Sequence, residues 1–385
     1  MPNLFPDESA RQAAFPICSD TIYFSHAGVT ALPQCVADTI IAHTIKTTRT
    51  ISTPDDYLRE IALTRKSAAT LLNARPDEIA LLGPTSLGLS LFANGLDWRP
   101  GDEVLCYLDD YPANVYPWLE LRRRGVTVRF LENKNPGEIT PEIVERSLTS
   151  HTRLVALASC NFLAGYRIDH AAIGQLLHEK GILFSLDAIQ TLGAFPTTVE
   201  HVDFLSADAH KWLLGPMAAG IVYIKREHFE RLRPTLLGAW NVLAPQFITQ
   251  TEIRFTDSAR RYEPGVLNIP AIFGMRSAID MLLGYGIETI AARILEIRNL
   301  LSAGLEDLGS RIISPRDPQN QSGILTFHHP RQPTKALVEA FTKEKVSVSH
   351  RFDRAGNEYI RLSPHFYNTE AEVARILEIL ERETK

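Results

Sequence analysis

From Ile79 onward the chain repeats one unit: a short apolar run, a polar turn, then a stretch of helical spacing. The runs are Ile79–Leu82, Val104–Leu108, Val126–Phe130, Leu154–Ala158 and Ile182–Leu186. Between them, helical patterns follow Gly83-Pro84-Thr85-Ser86 and then cover Trp118–Arg124, Pro141–Leu148 and His170–Glu179. Short apolar strands alternating with helices predict an α/β domain built on a mostly parallel sheet. No Gly-x-Gly-x-x-Gly follows any of these strands, which disfavours a dinucleotide fold.

The remainder divides around that core. A chain of 385 residues suits two domains. Residues 1–20 read as a loosely structured arm, 21–255 as the large domain and 256–385 as a smaller α+β domain. In the large domain, 34–73 carries helical spacing interrupted at Ser52-Thr53-Pro54-Asp55-Asp56, and the irregular stretch 231–268 holds the domain boundary. Ile272–Leu308 is helical in period throughout. Gly323–Phe327, Val346–Val348 and Tyr359–Leu362 read as strands, and Thr334–Lys345 and Thr369–Glu383 as helices. A formal charge of -5 gives no reason to expect nucleic acid or an anionic membrane as partner. Cys18, Cys35, Cys106 and Cys160 are scattered without a C-x-x-C pair, so neither a disulfide framework nor a zinc site is expected. With no signal-like start, the expectation is a cytoplasmic enzyme without a metal.

In open α/β sheets, ligands bind beyond the carboxyl ends of the strands. Polar residues collect at those ends: Thr85 and Ser86, Tyr111, Asn161, Asp187, and Lys211 after Phe204-Leu205-Ser206. Thr85 and Ser86 offer hydroxyls where a helix N-terminus favours a phosphate, although a plain helix cap fits the same spacing. Tyr111 has a face to lie on a planar ring, or is an ordinary half-buried tyrosine. Asp187 and Gln190 stand together after one strand, and on spacing alone Asp187 reads more readily as a helix cap. Lys211, between His210 and Trp212, is poorly placed for a solvated lysine, and burial would make it a usable amine nucleophile and proton shuttle. A lysine about two dozen residues beyond a strand-end aspartate suggests pyridoxal phosphate, with a Schiff base at Lys211 and Asp187 on the ring nitrogen. Arg361, set in Tyr359-Ile360-Arg361-Leu362-Ser363, suits a bidentate grip on a carboxylate or an interdomain salt bridge.

Three pieces resemble the class V aminotransferase family of fold-type I pyridoxal phosphate enzymes. They are Asp187-Ala188-Ile189-Gln190, His210-Lys211-Trp212 with Gly215-Pro216, and Arg361–Thr369. That family includes cysteine desulfurases, selenocysteine lyases, kynureninases and isopenicillin epimerase-like proteins. The resemblance implies a seven-stranded-type sheet and pyridoxal 5'-phosphate on Lys211. It also implies Asp187 at the pyridine nitrogen, Gln190 at the phenolic oxygen and Tyr111 stacked on the ring. By the same resemblance Thr85, Ser86 and His210 are expected at the phosphate, and Asn161, Arg361 and the Gly28 backbone at the carboxylate end of an amino acid substrate. A homodimer with shared active sites is implied as well.

Four departures bear on the reaction. Desulfurases carry a persulfide-forming cysteine shortly before the arginine, and Ser347–Glu358 has none. Tyr111 replaces the histidine those enzymes stack on the ring. Asp208 stands where a phosphate-binding serine is usual, and either turns away or holds His210. Gly265-Val266 replaces a Gly-Thr that reaches the partner's phosphate. The expectation is therefore an aminotransferase or C–S/β-elimination lyase, with epimerase-like or kynureninase-like chemistry as the alternative and persulfide desulfuration disfavoured. A cofactor-free interaction protein is the non-enzyme alternative. His26, Tyr111, Trp240 and Arg351 are candidates for shaping the side-chain pocket.

Overall fold

The structure is a computed structural model that describes residues 4–51 and 53–385. Residues 1–3 of the arm and Ser52 of the interruption lie outside the described residues. The rest of the arm is ordered: α1 (Glu8–Ala14) is capped by Asp7, whose carboxylate accepts the Ala10 N–H at 2.8 Å. Arg11 anchors this helix by pairing with the buried Glu372 at 3.0 Å, and Phe15 stacks on Tyr367. The loose arm expected from sequence is thus held by contacts with residues more than 350 positions away.

β1 (Ile22–Tyr23) precedes α2 (Gln34–Thr47) and α3 (Pro54–Leu72), the latter opened by a Thr53/Asp56 capping box. The predicted alternation then follows: β2 (Ile79–Leu81), α4 (Thr85–Gly95), β3 (Glu103–Cys106), α5 (Tyr116–Glu120), β4 (Thr127–Phe130) and α6 (Pro141–Ser147). It continues as β5 (Thr152–Ala158), α7 (His170–Glu179), β6 (Leu183–Asp187), β7 (Phe204–Asp208) and β8 (Gly220–Ile224). These strands form a seven-stranded sheet ordered β2-β8-β7-β6-β5-β3-β4, parallel except for β8, which runs against both neighbours. Val155, Leu157, Phe184 and Leu186 face one layer of helices, while Leu154, Ala156, Leu183 and Phe204 face the other. Burial on both faces is why these strands read as continuous apolar runs.

The helical stretch Ile272–Leu308 is two helices, α8 (Ile269–Tyr285) and α9 (Ile287–Asp307). They break at Gly286, whose φ of 84° lies outside the helical region. Met275, Ile279 and Leu282 of α8 share the core of the large sheet's outer helices. By packing, α8 therefore sides with the large unit, although the division drawn from sequence puts it after residue 255. A four-stranded antiparallel sheet follows, built from β9 (Arg311–Ile312), β10 (Leu325–His328), β12 (Ser349–Phe352) and β13 (Glu358–Leu362). Its helices are α10 (Thr334–Lys343) and α11 (Glu370–Thr384), and its core includes Phe327, Phe341, Ile360 and Ile376. β11 (Val346–Ser347) leaves this sheet to pair in parallel with β1. That pairing, with the Ser25–Ser363 bridge, draws the loop after β1 between the two units.

Candidate active site

A cavity of about 340 Å³ opens beyond the carboxyl ends of β2, β6 and β7 and is closed on one side by β12 and β13. Nine of the ten predicted site residues line it. Gly28 comes from the loop after β1, Thr85 and Ser86 from α4, and Tyr111 from the turn after β3. Asp187 and Gln190 follow β6, His210 and Lys211 follow β7, and Arg361 comes from β13.

Lys211 sits in a tight turn after β7 closed by Leu214 N–H to Lys211 C=O (3.1 Å) and Gly215 N–H to Ala209 C=O (2.8 Å). Burial, and after it the Arg361 guanidinium, pull its ammonium down to about 8, against the opposing pull of Asp187. Its Nζ lies 5.4 Å from the centre of the Tyr111 ring. Asp187 is the last residue of β6 and is buried, which pushes its carboxyl up to about 6. The Ile189 N–H, donated to Oδ1 at 3.1 Å, and the charge of Lys211 work in the other direction. Adjacent strands thus present an amine with a lowered pKa and a carboxyl with a raised one to the same space, the pattern that marks functional sites.

At the other end, Thr85 is the first residue of α4, and the cap is Pro84, which supplies no side-chain acceptor. The plain-cap alternative therefore fails, and first-turn N–H groups are left for an anion. Thr85 Oγ1 accepts the Asp208 N–H at 2.9 Å, so its own hydroxyl hydrogen stays available. Asp208 turns away from this mouth. Its Oδ1 accepts the Ala209 N–H, and its Oδ2 accepts the His210 Nδ1–H at 2.7 Å and the Ala218 N–H at 3.2 Å. The aspartate in the serine position therefore orients His210.

Gln190 is held by a partner that sequence reasoning did not single out. The fully buried Trp212 donates its Nε1–H to Gln190 Oε1 at 2.8 Å, while Gln190 Nε2 donates to the Ala27 carbonyl at 3.2 Å. Asp110 was also missed. It accepts the N–H groups of Tyr111 (2.8 Å) and Ala158 (3.0 Å) and the Asn114 amide, and so fixes the Tyr111 turn onto β5. Burial, then the charge of Asp187, push its carboxyl up to about 7. The adjacency Asp109-Asp110-Tyr111 is the available signal, and two acidic residues after a strand suit an exposed turn equally well.

Arg361 is almost wholly buried and donates Nη1–H to the Phe162 carbonyl at 2.5 Å. Its Nε and Nη2 have no partner among the described residues. Burial first, then the neighbouring Arg351, pull it down to about 9. Three expectations are corrected. Asn161 does not line the cavity: its Oδ1 accepts the Leu163 and Ala164 N–H groups, its Nδ2 donates to the Asp109 carbonyl, and it packs against Gly137. It shapes the loop that carries Phe162. His26 is buried with Nδ1 on the Ser363 carbonyl (2.8 Å) and Nε2 on the Tyr367 hydroxyl (2.6 Å), and it faces no substrate space. Trp240 stacks on Tyr57 away from the cavity. Arg351 does line it.

The family model described as aminotransferase class-V matches residues 22–376. A probable cysteine desulfurase of Methanothermobacter thermautotrophicus is 30% identical over 341 residues, covering 84% of this chain and 83% of that protein. Another probable cysteine desulfurase, from Pyrococcus abyssi, is 25% identical and covers 96% of each. Among solved structures, a cysteine desulfurase of Thermococcus onnurineus NA1 without ligand superposes with a TM-score of 0.91 at 22% identity, over 98% of both chains. The cystine C–S lyase C-DES in complex with cysteine persulfide superposes at 0.85 and 22% identity, over 95% of this chain and 99% of that one.

Proposed function

The chain belongs to the aminotransferase class-V family, and from that premise we propose a pyridoxal-phosphate-dependent enzyme that acts at the α-carbon of an amino acid. One observation carries the reading: the Lys211 amine, the Asp187 carboxyl and the empty edge of Arg361 converge on one cavity. The donor set fits the cofactor. Thr85, Ser86 and His210 at the mouth of α4 would hold its phosphate, Asp187 its ring nitrogen, Gln190 its phenolic oxygen and Tyr111 its face. When bound, pyridoxal phosphate supplies an electron sink for the pair left at the α-carbon.

The chain's own groups do the rest. The unpartnered Nε and Nη2 of Arg361 share one edge of the guanidinium and suit a two-pronged grip on the α-carboxylate. Held there, the substrate presents its α-hydrogen to Lys211 Nζ, which burial keeps partly neutral near pH 7, so it can accept the proton as general base. Asp187, as a carboxylate, balances the positive charge that develops between the two strand ends. Arg354 pairs with Asp109 and donates to the Leu108 carbonyl at 2.7 Å. These contacts pin the β12–β13 turn against the Tyr111 turn.

Of the possible outcomes we favour β-elimination with C–S cleavage, and transamination stands second. Relatives are named cysteine desulfurases, yet none of the four cysteines of this chain lines the cavity, and Ser347–Glu358 contains none. That pattern supports release of the sulfur directly, without a persulfide on the protein. We infer further that two copies associate. Between Leu236 and Val266 seven large apolar side chains are at least half exposed, Phe247 and Val266 most of all.

Reconstitution with pyridoxal phosphate tests the first part. Wild-type protein should acquire a visible absorbance band that Lys211→Ala lacks, whereas a colourless wild-type protein would favour the interaction-protein alternative. Mixing the loaded enzyme with L-cysteine should release pyruvate, ammonia and sulfide, and with L-cystine pyruvate, ammonia and cysteine persulfide. A keto acid formed only when an acceptor keto acid is added would mean transamination.

A further inference from the structure

Among the charged side chains that line the cavity, Arg351 is the one that the reaction described above leaves without work. It stands on β12 with its Nε buried and without a partner among the described residues, and among those residues it forms no ion pair. Strand register puts it beside Arg361. Ser349 lies directly opposite Arg361 and Arg351 opposite Tyr359, so Arg351 and Ser349 point to the same face as Arg361. Arg351 is then the diagonal neighbour of Arg361, a separation of roughly 7–8 Å between backbones that long side chains bridge. Its Nη2 lies 3.7 Å from the point where a side chain on Gly28 would begin, which sets the guanidinium across the cavity wall.

Charge bookkeeping sharpens this. On the substrate side of the cavity Arg351 and Arg361 bring two guanidinium charges, while Asp187 is committed to the ring site and His210 is already engaged by Asp208. One α-carboxylate satisfies the open edge of Arg361 completely. A buried N–H on Arg351 would remain unmet, which disfavours a substrate with only one carboxylate. We propose that the substrate is an α-amino acid carrying a second carboxylate, with Arg361 gripping the first and Arg351 the second. The proposal rests on the amino acid chemistry inferred above and adds the substrate class.

Two experiments separate its failure from that of the cofactor reading. In the first, calorimetry on protein without cofactor compares glutarate with butyrate, which lacks the second carboxylate. Wild-type protein should bind glutarate at least about 10-fold more tightly. Arg351→Gln should reduce that ratio toward one, and Arg361→Gln should weaken both ligands. Equal affinity of wild-type protein for the two, or an unaltered ratio in Arg351→Gln, would overturn the assignment whether or not the cofactor binds. In the second, the loaded enzyme is given L-cystine and S-methylthio-L-cysteine, which share a disulfide but differ in the distal carboxylate. The wild-type ratio of kcat/KM should favour cystine and fall about 10- to 100-fold in Arg351→Gln, with the loss carried by KM. A ratio that Arg351→Gln does not move would overturn the assignment, and Arg351→Lys, which keeps charge but loses the fork, should fall between. Failure of the cofactor reading itself shows separately, as the absence of a visible band in wild-type protein.

Discussion

Lys211 owes its reactivity to where its neighbours put charge. Its amine is neutral above about pH 8, so the rate at which protein without cofactor captures pyridoxal phosphate should climb through that value. Arg361→Gln removes a cation that helps lower it, and should move the climb to higher pH; a profile still flat at pH 8 and rising only near the ordinary lysine value would contradict this. Asp187→Asn keeps an acceptor for the Ile189 N–H but removes the charge beside the ring site. Turnover measured at saturating substrate should drop roughly 100-fold or more while the protein stays folded. Most of these side chains were legible in the sequence because parallel strands deliver polar residues to one edge of the sheet, and each strand end could be read from its apolar run. Asn161 obeyed the same rule and still went elsewhere, since an amide can close its own loop as readily as it can reach a ligand. Trp212 and Asp110 escaped because they act through Gln190 and Tyr111, and such contacts between distant segments leave no spacing to read.

At the scale of elements, the approach of α4 to the sheet sets the phosphate end of the cavity. A Cβ on Gly88 would stand 2.4 Å from Ser206 Oγ and 2.8 Å from Val222 Cγ2, so the helix reaches β7 only because that residue has no side chain. Gly88→Ala should lower stability by about 1–3 kcal/mol and weaken cofactor binding, read by thermal melting and a cofactor titration. An unchanged melting temperature would mean that the helix does not need this contact. The buried strands were easy to find, while β12 was not. Ser349-His350-Arg351-Phe352 is a polar edge strand, and its pairing with β13 comes from tertiary context rather than from an apolar run. The α8–α9 break was hidden for a related reason. Both helices share one apolar period, and only the glycines at 284 and 286 mark the turn.

Across the whole molecule, the interface between the two units carries a pH dependence. His26 is wedged under Ser363 and Tyr367, and burial pulls its imidazole down to about 4. The unfolded chain takes up this proton near pH 6.5 while the folded one refuses it until about 4. Stability from this group is therefore full above pH 6.5 and is lost as the pH falls toward 4. Asp110 and Asp187, both raised by burial, act in the opposite sense, so the clean measure is a comparison with His26→Gln. Denaturant midpoints at pH 7 and pH 5 should differ by less in that variant, by an amount worth about 2 kcal/mol; equal differences would remove His26 from the account. Association is the other property of the whole molecule. Phe247→Glu should shift sedimentation toward the monomer if the exposed apolar segment is the contact, and an unaltered sedimentation coefficient would place the interface elsewhere.

The central claim, that Lys211 holds the cofactor, has one direct measurement. Protein loaded with pyridoxal phosphate is reduced with borohydride, digested, and its peptides weighed. A pyridoxyl mass should appear on the Lys211 side chain in the wild-type protein and be lost in Lys211→Ala. A label on another lysine, or none after loading, would contradict it.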